Sequence, residues 1–107
     1  MDKEQWQNLY NLFDRTHSDF LLAYPQYRNG KNQKIRDTAT REMDNAIRTA
    51  DFNIRRNKEV YELITGGENV SDYGRTIIYE EFTRYNYFGD DMAKLLVLIK
   101  DKISQFK

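Results

Sequence analysis

The chain predicts an all-α fold, a four-helix bundle with antiparallel neighbours, and three observations carry that prediction. Apolar residues recur at three- and four-residue steps along most of the length. Acidic and basic residues alternate at the same steps through the middle. The turn-forming pairs Asn29-Gly30 and Gly66-Gly67 fall between the periodic stretches. With 107 residues the chain fits one domain, 1–107, with room for one hydrophobic core.

Asp2 is the expected N-cap of a first helix, on which Trp6, Leu9, Tyr10, Phe13, Phe20, Leu21 and Tyr24 recur at helical spacing. Pro25 disfavours helical geometry at Tyr24, so the helix is expected to end there, with a loop over Pro25 to Gly30. The second helix is expected over about 31–65. Its signature is a ladder, Lys34, Asp37, Arg41, Asp44, Arg48, Asp51 and Arg55, in which each Asp precedes an Arg by four residues. The stretch reads as three seven-residue units, Ile35–Arg41, Glu42–Arg48 and Thr49–Arg55, each with Asp third and Arg last. Opposite the ladder run Ala39, Met43, Ala46, Ile47, Ala50 and Ile54, continued by Asn57, Tyr61 and Ile64. Asn57 places a polar group on that packed line, where either a kink or a continuous helix is compatible with the pattern.

Ser71 or Asp72 is a candidate cap for a third helix that runs through Phe88 and stops at Gly89. Asp90 or Asp91 would then cap a fourth, from Met92 to about Phe106. Its main face holds Met92, Leu95, Leu96, Ile99, Ile103 and Phe106, with Val97 on the far side. Because Leu95-Leu96-Val97-Leu98-Ile99 is apolar around nearly the whole circumference, a homodimer covering the Val97 side is one expectation.

Hydrophobic residues make up 39% and charged residues 32%, against roughly 45–50% and about 25% in ordinary domains, so much of each helix faces water or a polar partner. There are no cysteines, which excludes disulfides, thiol nucleophiles and thiolate metal sites. No apolar run reaches the ~20 residues of a membrane span, and the start, Met1-Asp2-Lys3-Glu4, is unlike a signal peptide. A cytoplasmic protein without a membrane partner is expected.

Four polar residues point at predicted core: His17 between Phe13 and Phe20, Arg36, Asn57, and Glu81 among Ile77, Ile78, Phe82, Tyr85 and Phe88. His17 and Glu81 could form an acid–base pair, the basis of one alternative, a small enzyme. Mutual satisfaction of buried groups needs fewer assumptions, since no nucleophile, oxyanion hole or metal set accompanies them. No catalytic residue, metal ligand or cofactor is therefore assigned. Glu59-x-x-Glu62 followed by Glu80-Glu81 resembles the carboxylate pairs with which all-α nucleotide pyrophosphohydrolases chelate magnesium. The pattern departs at the second pair, where Arg84 stands three residues after Glu81.

Net charge is zero, yet it is segregated. From Gln26 to Lys58 nine basic residues face four acidic ones, +5, and from Glu59 to Asp91 two face eight, −6. The basic segment, 28–58, suggests a nucleic-acid-associated protein with phosphate contacts at Arg28, Lys31, Arg55, Arg56 and Lys58, although the ladder Asp residues neutralise their neighbours. The acidic segment combines carboxylates with tyrosines off the apolar face, an interface-type composition. The leading expectation is a non-enzymatic protein-binding module, a regulator or inhibitor of the kind phages or mobile elements encode, that occludes a partner. Its candidate contacts are Tyr73, Tyr79, Glu80, Arg84, Tyr87, Asp90 and Asp91.

Overall fold

The computed structural model describes residues 1–65 and 85–106, and among them every regular element is an α-helix. They are α1 (Lys3–Asn29), α2 (Gln33–Arg56), α3 (Lys58–Thr65) and α4 (Tyr85–Ser104). The fold is an all-α helical bundle.

Asp2 caps α1 as expected. Its carboxylate accepts from the Gln5 N–H at 2.8 Å, and the Gln5 side chain accepts from the Asp2 N–H at 2.9 Å, a closed capping box. The expected end at Tyr24 is wrong, because α1 continues through Pro25 to Asn29. Packing outweighs the local penalty there. Tyr24 stacks on Phe20 at 5.8 Å and on Tyr27 at 6.1 Å, and Tyr27 meets Tyr85 of α4 edge-on at 5.2 Å. Pro25 itself faces solvent.

Gly30 stops α1 by donating its N–H to the Gln26 carbonyl at 2.9 Å. Asn32 then caps α2 by accepting from the Ile35 N–H at 2.9 Å. The packed line of α2, from Ala39 to Ile54, is buried as the pattern predicts. The Asn57 question resolves as a break. Asn57 is extended, closes α2 through its N–H to Ile54, and its side chain accepts from the Val60 N–H at 3.3 Å at the start of α3. The polar residue on the packed line is thus a hinge-point cap between two helices, and Val60 and Tyr61 beyond it return to the core. The Gly66-Gly67 stop and the Ser71 or Asp72 cap lie outside the described residues.

The boundary drawn at Gly89 is also overturned, since α4 runs unbroken through Gly89, Asp90 and Asp91. Neither aspartate is a cap. Gly89 lies against α1, where an added Cβ would sit 3.5 Å from Leu21 and 3.9 Å from Phe20. The glycine is therefore not a helix end, and an added Cβ there would meet α1 at ordinary contact distance. The predicted apolar face of this helix is correct: Met92, Leu95, Leu96 and Ile99 are buried, and Ile103 and Phe106 pack against the core from its edge.

One core joins all four helices, with Trp6, Phe13 and Phe20 from α1, Met43 from α2, Val60 from α3, and Phe88 and Met92 from α4 among its largest members. Phe20 and Phe88 meet at 4.7 Å. At the far end, Asn57 Nδ2 lies 3.2 Å from Met1 Sδ, and the Met1 amino group pairs with Glu59 at 2.8 Å. The end of α1 therefore lies beside the start of α4, and the start of α1 beside the α2–α3 junction.

Candidate functional site

The surface between α1 and α2 is a groove. Its wider part, about 600 Å³, is lined by Leu12, Arg15, Thr16 and Asp19 of α1 and by Glu42, Asn45, Ala46 and Thr49 of α2, with Leu22 at its margin. A second hollow of about 260 Å³ continues it along Ala23, Gln26, Lys34, Ile35, Thr38 and Ala39. Leu22 and Glu42 line both, so the two form one trough. From Leu12 to Gln26 it follows about 21 Å of helix axis at 1.5 Å per residue.

Local sequence explains the trough. Ala23, Ala39 and Ala46 are buried where the helices approach, and their small side chains leave a shallow floor. Thr16 donates its hydroxyl back to the Leu12 carbonyl at 2.8 Å, so the buried hydroxyl is satisfied within α1. Leu22 stands beside the floor at 76% exposure, the most exposed large apolar side chain among the described residues. Arg15, Asp19, Lys34 and Glu42 put both signs of charge along the margins. No signal in the sequence reading singled out this trough, because it arises where two helices meet.

The charge ladder on the outer side of α2 is less closed than its spacing implies. Among the described residues, only Asp51–Arg55 of the ladder forms an ion pair, at 3.2 Å. Burial raises the Asp51 carboxyl above its ordinary range, with Arg55 opposing that shift, so the pair adds little to stability. Asp44 instead accepts the hydrogen bond of the Tyr85 hydroxyl from α4. Burial first, and then the Asp44 bond and charge, push the Tyr85 hydroxyl up to about 12, with Arg48 acting the other way. Asp37 is engaged by Gln33 at 2.6 Å. Among the described residues Arg41 and Arg48 have no carboxylate within 4.0 Å, and Arg41 reaches only the Thr38 hydroxyl, at 3.5 Å. Direct pairing of each Asp with the Arg after it is not formed for these two among the described residues.

The polar residues expected in the core are placed differently. His17 is half-buried rather than enclosed, and the buried polar side chain of α1 is its neighbour Thr16. The reason is angular: the buried line runs Phe13, Thr16, Phe20, Ala23, and one residue turns the helix by about 100°. Arg36 is half-buried and satisfied, donating to the Gly30 carbonyl at 2.8 Å and to Gln33 at 3.1 Å. Glu81 lies outside the described residues, as do Tyr73, Tyr79, Glu80 and Arg84. Tyr87 falls within α4, where Asp90 is exposed and Asp91 half-buried.

Of the candidate phosphate contacts, Arg28 lies over Tyr24, 6.0 Å from the ring centre, at the opposite end of α2 from Arg55, Arg56 and Lys58. The five do not form one cluster. Lys58 faces Glu62 at 3.7 Å, and Glu59 takes the Met1 amino group, so the two glutamates that resemble a magnesium pair are occupied by cations of the chain. Among the described residues no group of three or more His, Cys, Asp or Glu side chains could hold a metal ion, and no helix is long and apolar enough to cross a membrane. No family model, curated protein or solved structure matches the chain.

Proposed function

We propose that this protein is a non-enzymatic binding module that seats an amphipathic helical segment of a partner protein in the α1–α2 trough, acting as a regulator by occluding that segment. The observation that carries this reading is Leu22, an exposed leucine standing over a floor of small buried residues between two helices. Fully burying a leucine is worth about 1.5–3 kcal/mol, and most of that is left for a partner to recover. The shape suits a helix. A trough about 21 Å long accepts roughly four turns, whose residues at steps of three and four would meet Leu12, Leu22 and Ile35. Arg15, Asp19, Lys34 and Glu42 along the margins would set register and orientation.

A second copy of the chain on the far side of α4 is less well supported. Val97 and Leu98 are exposed there, at 60% and 36%. They are flanked by exposed Ala93, Lys94, Lys100 and Asp101, and two side chains fall far short of the roughly 800 Å² per partner that a stable interface buries.

The test is affinity purification from the native host, followed by titration of the recovered partner against purified wild type and Leu22→Glu. Binding weakened about tenfold or more by Leu22→Glu, with the bound segment helical, is expected. Equal affinity for the two proteins would overturn the trough as the site.

A further inference from the structure

We propose that the outer side of α2 is a contact surface for single-stranded nucleic acid, with Arg41 and Arg48 following phosphates and Phe52, beside Arg56, stacking on a base. This surface lies next to the trough, and none of these four residues lines it. It stands independently of the reading above.

Two observations converge on it. The first is electrostatic. Arg41 and Arg48 are exposed and lack a carboxylate within 4.0 Å among the described residues, because Asp44 is held by Tyr85 and Asp37 by Gln33. The contact between α4 and α2 thus draws one acidic side chain of the ladder toward the bundle. Two exposed guanidinium groups, Arg41 and Arg48, stand seven residues apart on nearly one line of the helix. Seven residues span about 10 Å, close to three nucleotides of a strand that rises 3.4 Å each.

The second observation is aromatic. Phe52 is 58% exposed on the same side, and the Arg56 guanidinium lies 5.6 Å from its ring centre. A cationic row beside an exposed aromatic ring is the arrangement by which single strands are held, the charges tracking the backbone while the ring offers a stacking face to any base. A duplex fits less well, since its base faces are already stacked and cannot reach Phe52.

Fluorescence anisotropy of the full chain with a labelled mixed-sequence single strand, and with the matching duplex, tests this at low salt. The single strand is expected to bind more tightly than the duplex. Phe52→Ala should weaken single-strand binding about tenfold, with Phe52→Tyr restoring it and duplex binding unmoved. The Arg41→Ala, Arg48→Ala double variant should also reduce the salt dependence by about 1.4 in logarithmic slope, two single-strand phosphate contacts. Phe52, Arg41 and Arg48 are all exposed, and unchanged helical circular dichroism would show that the variants fold. Leu22→Glu should leave oligonucleotide binding intact, which separates failure here from failure of the trough. Absence of single-strand binding at low salt, indifference to Phe52→Ala, or equal affinity for the duplex would each overturn the proposal.

Discussion

Gly30, between α1 and α2, and Gly89, inside α4, illustrate how opposite roles hide behind one residue type. At Gly30 the backbone φ is −56°, a value any residue adopts, yet an added Cβ would lie 2.5 Å from the Gln26 carbonyl oxygen and 3.0 Å from both Arg36 and Ile35. Glycine is needed there for space. At Gly89 the nearest neighbours of an added Cβ are at ordinary contact distance, and the residue sits inside a helix. Gly30→Ala is therefore expected to destabilise by about 1–3 kcal/mol, and Gly89→Ala to stabilise by about 0.5–1 kcal/mol. Chemical denaturation of the two variants should move the midpoint in opposite directions. Tyr85 gives a pH signature. Its folded value of about 12 lies above the ordinary 10, so its contribution is fully present below pH 10 and is lost as pH rises from there through about 12. Wild type should lose more stability over that window than Tyr85→Phe, as measured by denaturation at stepped pH.

At the scale of the element, α1 begins where the sequence says, while the end of α1 and the start of α4 depend on packing. Asp2 and Asn32 have the side chains that caps require, and both act as caps. Pro25 should have ended α1, but the aromatic contacts of Tyr24 and Tyr27 extend it to Asn29. The helix consequently carries an interior proline at an exposed position, without the N–H that would bond to the Leu21 carbonyl. Pro25→Ala should stabilise by about 2–2.6 kcal/mol, the interior-proline penalty of about 3 kcal/mol less the unfolded-state entropy of about 0.4–1 kcal/mol that proline removes. A rise of about ten degrees in thermal midpoint would show it, whereas a fall would mean that the proline shapes the turn toward Gly30. At Asn57 the element scale reverses the lesson. A single polar residue on an apolar line left a break or a continuous helix open, and the structure takes the break, whose low cost follows from the double role of Asn57 as end of α2 and start of α3.

For the whole molecule, the core depends on α4 meeting α1 through Phe20 and Phe88. Phe88 is fully buried, so Phe88→Ala should cost about 3–5 kcal/mol. A domain of this length has only about 5–15 kcal/mol in total, and the variant should be largely or partly unfolded near its former working temperature. Loss of cooperative melting by circular dichroism is the expected readout. The same docking of α4 also sets the charge on the outside of α2, through the Tyr85–Asp44 bond. Tyr85→Phe should consequently lower the affinity of α2 for a single strand, because Asp44 is released to face Arg48.

The sequence by itself determined the class of fold, the buried line of α2 from Ala39 to Ile54 and the buried face of α4. Each depends on a periodicity that only one backbone geometry satisfies. It also marked Asn57 as a polar residue on the packed line, leaving a kink and a continuous helix both open there. Tertiary structure alone decided what lies between elements. The continuation of α1 past Pro25, the passage of α4 through Gly89, the burial of Thr16 in place of His17, and the trough beside Leu22 all depend on which helix lies alongside which. The partner of Asp44 is a tyrosine 41 residues away rather than the arginine one turn on, a choice made by three-dimensional proximity and burial. Local patterns state what each segment prefers, and the energy of packing aromatic residues from α1 against α4 is large enough to override those preferences at their ends.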